Sequence, residues 1–414
     1  MGQASGGKSF LLTPDGMKDM MPEELLRKME AARQIEAVMR SYNYSRIKSP
    51  VFENIEVYDI SGSFNPSGAY RLVDSDGGVL ALRPDMTPPI ARIAATKYQN
   101  SDLPLRLCYM ENMFRQNDRY QGKQREFTQA GVELIGDSSA ESTAEVIAVA
   151  VNCLLNAGVS EFKLELGSVG FLAGAIAGSK ISRELQQAIL DKEFTKAQSL
   201  AAGSELEELI HELPFLIGGI EVIERARGFT KSEQSLCALA ELQEIAELLA
   251  DFGMEDFLQF DLSMTGRLDY YTGIIFRGYA RGTGFSLLDG GRYDGLLPKF
   301  GANYPAVGFA IELDNLLSVL PEASGGTKNS ADTYVAFTKL GRRTAMQAAD
   351  ELRSAGVFIE NSLLGDDYEK NAQYARAKSF GGMLYFVDSE QVIVHDLGAD
   401  SKRTASINEI LRGV

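Results

Sequence analysis

The stretch RQNDRYQGKQREFTQAGVELIG, residues 115–136, carries side chains suited to holding a small polar ligand. A glycine-containing polar loop joins two apolar runs. On the second run Phe127, Gln129, Gly131 and Glu133 share one face of a strand, because strand side chains alternate with a period of two. Ala130, Val132 and Leu134 share the other face and read as core. An amide and a carboxylate flanking a glycine leave space for a polar molecule. Arg115 ends the preceding run, where a guanidinium can grip a carboxylate or a phosphate with two parallel hydrogen bonds. The same pattern suits a sheet face turned to water, and this segment alone does not choose between the two.

Three other stretches offer chemistry. LRPDMTPPIAR, residues 82–92, reads as a strand running into a helix with Pro88 near its first position. Asp85 there can accept from a ligand ammonium, and Thr87 is either the helix cap or a ligand contact. GRLDYYTGIIF (266–276) and DGGRYDGLL (289–297) supply Tyr270, Tyr271 and Tyr293 beside a glycine-rich turn. Packing tyrosines and turn-forming glycines are the plainer reading of these two. PAVGFAIELDNLL, residues 305–317, has Gly308 where a backbone can come close, then an apolar helical repeat presenting Asp314 and Asn315.

The totals narrow the function classes. The formal net charge is −16, whereas a protein gripping a polyphosphate backbone shows a basic face. Two histidines far apart and no CxxC pair make a zinc site unexpected, and nothing calls for a cofactor. Three widely spaced cysteines give no disulfide framework. The leader MGQASGGKSF lacks an export or transit pattern, and no apolar run is long enough to span a bilayer, so a reducing cytoplasm is expected.

The length of 414 residues predicts two domains. PEASGGTKNSAD, 321–332, reads as the linker between a domain over 1–320 and a smaller one over 333–414. The smaller one alternates strand and helix patterns, which predicts an α/β domain with a largely parallel sheet. In the larger one a helix begins at Pro22, with Leu25, Met29, Ala32, Ile35 and Met39 on one face. A second helix opens on a capping box at Ser142–Glu145 and closes at Gly158. Closely spaced strands between and after them predict an antiparallel sheet, hence an α+β fold. Residues 169–253 read as a mostly helical insertion.

Together these segments resemble the class II aminoacyl-tRNA synthetases, and within them the histidyl-tRNA synthetase family, from TPDGMKDMMPEE to the helix at 306–320. MRSYNYSRIKSPVFE is similar to the dimer-forming first motif. YMENMFRQNDRYQGKQREFTQAGVELIG is similar to the second, and PAVGFAIELDNLL to the third. LDYYTGIIF and GGRYDGLL are similar to the two histidine-specific motifs, and the C-terminal domain to the family's anticodon-binding domain.

The resemblance implies a pocket for free histidine. Asp85, Thr87 and Gln129 would meet its ammonium group and Arg115 its carboxylate. Glu133 and Tyr271 would reach the imidazole, with Tyr270 and Tyr293 lining the wall. Asp85 departs from the family's usual glutamate, keeping the charge with a shorter reach. The nucleotide half departs further. Asn315 stands where the family has an arginine for ATP phosphates, Gly266 where it has a second arginine, and Asn117 where it has a glutamate for the nucleotide. Arg267, one residue along, points to the opposite face of an extended chain. A preorganised cation is worth roughly 3–4 kcal/mol in phosphoryl chemistry, so losing two implies on the order of 10⁴-fold or more in rate.

An amino-acid half kept beside a damaged ATP half resembles the regulatory subunits of ATP phosphoribosyltransferase, synthetase-like chains without catalysis. They accompany a short-form catalytic subunit in histidine biosynthesis and transmit feedback by histidine. The resemblance then implies a homodimer within a hetero-oligomer, no catalytic residues and no tRNA to hold. A working histidyl-tRNA synthetase is the alternative reading. A scaffold whose pocket binds nothing is the third.

Overall fold

The two apolar runs flanking the polar loop are neighbouring strands. Leu105–Phe114 and Glu126–Ile135 pair antiparallel, with Leu105 opposite Ile135 and Phe114 opposite Glu126. The computed structural model describes residues 11–61, 68–116, 124–177, 182–264, 270–321 and 333–412. Within it these strands belong to a nine-stranded sheet. Its order runs from Ser45–Arg46 through Leu105–Phe114, Glu126–Ile135, Ala306–Glu312, Leu288–Arg292, Ile274–Ala280, Phe162–Ser168 and Leu258–Asp261 to Ile217–Gly218. Only the Ser45–Arg46 and Leu258–Asp261 strands lie parallel to a neighbour, on Leu105–Phe114 and Phe162–Ser168 respectively. The predicted antiparallel α+β sheet is therefore present.

Alternation sorts the two faces of this sheet. Ala130, Val132 and Leu134, with Val307, Phe309 and Ile311 of the neighbouring strand, join a core shared with helices Pro22–Ser41 and Ala140–Asn156. The second helix is apolar on nearly every side because it lies between the sheet and two other helices, Pro22–Ser41 and Glu233–Asp251. Helices also fill most of 169–251, between the Phe162–Ser168 and Leu258–Asp261 strands.

Two sequence expectations need correction. The helix over 140–156 is capped by Ser139, whose side chain accepts from Ser142 N at 3.2 Å, so the cap lies three residues before the predicted box. Ser142 is instead inside the first turn, where its own hydroxyl bonds back to Ser139 O at 2.8 Å. Gly158 follows the helix with φ of 100°, a left-handed conformation that glycine adopts without strain. In the Pro22–Ser41 helix, Ile35 and Met39 face inward with Ala31 and Val38, but Leu25 and Met29 are exposed. Lys28 occupies the inward side at that turn, bonded to Asp314 at 2.9 Å, while Arg27 donates to the carbonyls of Leu317 and Leu320. A polar anchor at one end thus rotates the buried stripe away from the one the apolar spacing suggests.

The chain splits into two compact units after Pro321. In the second, Ile359–Asn361, Thr333–Phe337 and Gly382–Phe386 are parallel, and Gln391–Asp396 and Ser401–Ser406 continue the sheet antiparallel. The expected parallel character holds for three strands of five. Ser401–Ser406 is an edge strand with only Ala405 buried, so SKRTAS gives no apolar alternation to read. Among the described residues no helix is long and apolar enough to cross a membrane.

Candidate functional site

The face of the sheet opposite the helical core is also buried, which decides against a face turned to water. Gln129 is 5% exposed and Glu133 1%. Register places Tyr109 opposite Gly131 on one side, and Gly308 opposite Glu133 on the other. Glu133 Oε1 accepts from the Thr87 hydroxyl at 2.8 Å, and Oε2 accepts from the Tyr293 hydroxyl. Burial pushes the Glu133 carboxyl up to about 8, with the two hydroxyl bonds pulling the other way and the Asp85 charge adding to the rise. Burial therefore favours the protonated carboxyl at neutral pH.

Gly308 is what admits this carboxylate. A Cβ there would sit 1.9 Å from Glu133 Oε2 and 2.5 Å from the Val132 carbonyl oxygen. Gly131 plays the same part for Tyr109, since a Cβ would lie 2.6 Å from the tyrosine oxygen and 2.2 Å from Phe309 O. The two glycines supply the close approaches that the sequence suggested.

The three-stranded sheet Phe52–Asn54, Val79–Leu82 and Arg71–Val73 delivers the next wall. Arg83 fixes its exit, donating to Asn112 O at 2.9 Å and Ser49 O at 2.8 Å and pairing with Glu111 at 2.7 Å. Asp85 is then buried, its Oδ1 accepting from Thr87 N at 3.4 Å and its Oδ2 from the Tyr270 hydroxyl at 3.4 Å. Thr87 is the first residue of the helix Thr87–Lys97 rather than its cap; Met86 holds the cap position and offers no side-chain bond. The threonine hydroxyl is thereby free of capping duty and is committed to Glu133.

Tyr270 and Tyr293 close the wall, their rings meeting edge to face at 5.8 Å, and Tyr271 lies 5.0 Å from Tyr270. Burial raises all three phenols above their ordinary range, so they remain neutral donors. Two acceptors or hydroxyls are left over. Gln129 Oε1 and Tyr109 Oη are buried without a hydrogen-bond partner among the described residues. Buried polar atoms without a partner on one strand face are what a polar ligand could complete. Tyr109 escaped the sequence reading, although counting by twos back from Arg115 puts it on the same strand face.

The open end differs. Arg115 lies over the Phe127 ring at 4.8 Å and donates from Nε to Pro84 O at 2.8 Å. Its other partner is Glu312, at 3.3 Å. Asn315 donates from Nδ2 to Glu312 Oε2 at 2.8 Å and to Ser286 O at 3.2 Å. The position that the resemblance gives to a phosphate-binding arginine thus holds a neutral amide tied to a carboxylate. Glu312 also went unread, although it lies two alternations beyond Gly308 on one strand face. Asn117, Gly266 and Arg267 fall outside the described residues. Of the eight expected ligand positions, hydrogen bonds and ring contacts bring six together, Asp85, Thr87, Glu133, Tyr270, Tyr271 and Tyr293, while Gln129 is buried on the same strand face and Arg115 is half-buried beside Pro84 and Glu312.

Comparison with known proteins bears on this geometry. A family model described as histidyl-tRNA synthetase matches residues 16–316. The ATP phosphoribosyltransferase regulatory subunit of Acetivibrio thermocellus is 35% identical over 97% of this chain and 99% of its own. That of Thermoanaerobacter pseudethanolicus is 37% identical over 91% and 99%. A crystal structure from Bacillus halodurans, titled as an ATP phosphoribosyltransferase regulatory subunit/histidyl-tRNA synthetase, superposes with a TM-score of 0.81 at 31% identity, covering 91% and 98%. Histidyl-tRNA synthetase from a Nostoc species shares the fold, with a TM-score of 0.79 at 21% identity over 97% and 99%. A synthetase frame with near full-length relatives of this kind leads to one conclusion: the chain belongs to the histidyl-tRNA synthetase-like family of ATP phosphoribosyltransferase regulatory subunits.

Proposed function

We propose that this chain is the non-catalytic subunit that joins a short-form catalytic ATP phosphoribosyltransferase in the cytoplasm and reports free histidine to it. The observation that carries the reading is the buried Glu133, held by Thr87 and Tyr293 with its carboxyl at about 8. A protonated carboxyl beside a neutral phenol, on the strand face that also carries a buried amide oxygen without a partner among the described residues, suits an imidazole, which offers one donor and one acceptor nitrogen. Asp85 and Gln129 would take the ammonium, Arg115 the carboxylate, and Tyr271 the second ring nitrogen. The open end supports the loss of adenylation, because the place the resemblance gives to a phosphate-binding arginine holds Asn315, a neutral amide tied to Glu312. A net charge of −16 agrees with a chain that holds no tRNA. The first motif supports a homodimer within the hetero-oligomer.

The regulation is a linkage. Histidine must bind one state of the assembly more tightly than another, and a coupling of about 1–3 kcal/mol suffices for useful feedback. The test is co-purification with a short-form catalytic subunit, with phosphoribosyl transfer assayed with and without histidine. We expect activity to require this chain, histidine to inhibit it, and Glu133→Gln to blunt that inhibition. Histidine-dependent ATP–pyrophosphate exchange above background would overturn the reading in favour of a working synthetase.

A further inference from the structure

At the mouth of the pocket the chain supplies a carboxylate of its own to the guanidinium that a ligand carboxylate would seek. Glu312 faces the same side of the sheet as Gln129, its register partner, and ends the strand that carries Gly308. One of its oxygens is 3.3 Å from Arg115 and the other 2.8 Å from Asn315. Both members of the ion pair are partly open to solvent, Arg115 at 27% and Glu312 at 31%. A carboxylate so placed can turn outward into water without being stranded in an apolar medium. Arg115 is also held by Pro84 O and the Phe127 ring, so its guanidinium stays in place for either carboxylate.

We propose that Glu312 is an internal counter-carboxylate that competes with the carboxylate of an incoming amino acid for Arg115, and so sets both the affinity of the pocket and the point where ligand entry is signalled. This rests on the histidine reading above. Its consequence follows from where Glu312 sits. The next residue begins the helix Leu313–Val319, whose Asp314 pairs with Lys28 at 2.9 Å and accepts from Thr128 N at 2.8 Å. Beyond the helix, Arg27 holds the carbonyls of Leu320 and Pro321. Displacing Glu312 removes one of the two bonds of Asn315 in the first turn of that helix, which is itself tied to the Pro22–Ser41 helix through Asp314 and Lys28. The same carboxylate disfavours a phosphate at this end through like charge.

The experiment is calorimetric titration of the full chain with histidine and with histidinol, which lacks the carboxylate. Glu312→Gln keeps the shape and removes the competing charge. We expect it to bind histidine about two- to fivefold more tightly, the range of a half-exposed ion pair, with histidinol unchanged. Glu312→Asp, which keeps the charge but shortens its reach, should fall between, and serves if the first variant fails to fold. Unchanged or weaker histidine binding by Glu312→Gln, or equal tightening for both ligands, overturns the proposal. If neither the natural chain nor the variants bind histidine, the histidine reading itself fails and this one falls with it.

Discussion

The protonated state of Glu133 can be tested through stability, without any ligand. Its carboxyl titrates near 4.5 in an unfolded chain and at about 8 in the folded one. Between those values the folded protein holds a proton that the unfolded chain has released. Stability is therefore highest below pH 4.5 for this group and declines as pH rises through about 8. Each pH unit inside the window is worth at most about 1.4 kcal/mol, so the full interval corresponds to roughly 5 kcal/mol. Glu133→Gln removes the titration and keeps the size, and its single amide oxygen accepts from one of the two hydroxyls while the other accepts from its NH2 group. The assay is urea unfolding of both full chains from pH 5 to 9, followed by circular dichroism because the sequence has no tryptophan. The second unit and all other titrations are common to both chains and cancel in the difference. We expect the natural chain to lose stability relative to the variant by about 4 kcal/mol between pH 5 and 8, and then to level off. A flat difference across the window would refute the buried, proton-holding carboxyl. A difference of opposite slope would mean an ionised Glu133 stabilised by its hydroxyl partners.

Three further outcomes follow from the same pocket. Histidine affinity should be maximal between the free imidazole value of about 6.5 and the Glu133 value of about 8. Within that range one proton is already present to share between the two groups, whereas binding must release one below it and take one up above it. Titration calorimetry in two buffers of different ionisation heat reads this directly, and monotonic dependence would refute the shared proton. Gly308→Ala should destabilise the protein by about 3 kcal/mol, because the Cβ would strike both Glu133 and the Val132 carbonyl. Its melting curve and loss of histidine binding should change together. Tyr109→Phe removes a buried hydroxyl with no partner among the described residues, so the ligand-free chain should gain up to about 1 kcal/mol while histidine binding weakens. Equal losses of stability and binding would show that the hydroxyl has a structural partner instead.

How far the sequence could be read depended on whether neighbours were near in the chain. The Glu126–Ile135 strand was legible because alternation is local: Ala130, Val132 and Leu134 against Gln129, Gly131 and Glu133. That both faces are buried was not, since the cover over Glu133 comes from Thr87 and Tyr293, 46 and 160 residues away. The cap at Ser139 was misplaced because Ser142 offers the same hydroxyl three residues later, and only the backbone dihedrals separate them. Leu25 and Met29 matched a helical stripe whose continuation is set by Lys28 and Asp314, 286 residues apart. Glu312 was passed over for a similar reason. Its role depends on Arg115, 197 residues away, and carboxylates at strand ends are common.

The two ends of the pocket differ in what the fold requires of them, and that difference explains how an amino-acid site can outlive adenylation. Tyr270, Tyr293 and Tyr109 belong to a core cluster with Met86, Ile90, Met113 and Leu296, all buried. Glu133 and Asp85 are enclosed by it, so removing either leaves a hole or an unpaired hydroxyl in the interior. Selection on folding alone therefore retains most of the groups that would recognise an imidazole. Arg115, Glu312 and Asn315 lie where strand and helix ends meet solvent, and their bonds can be remade locally with carbonyls and with one another. Replacing a cation there by an amide costs the fold little, because the released carboxylate finds a partner within the same turn. Catalysis, by contrast, depends on positive groups fixed at that exposed end, where each one lost lowers the rate by orders of magnitude. On the proposed reading, substitutions at the exposed end abolish reaction while leaving the buried groups in place, which is the physical condition for turning an activating enzyme into a receiver of its own amino acid.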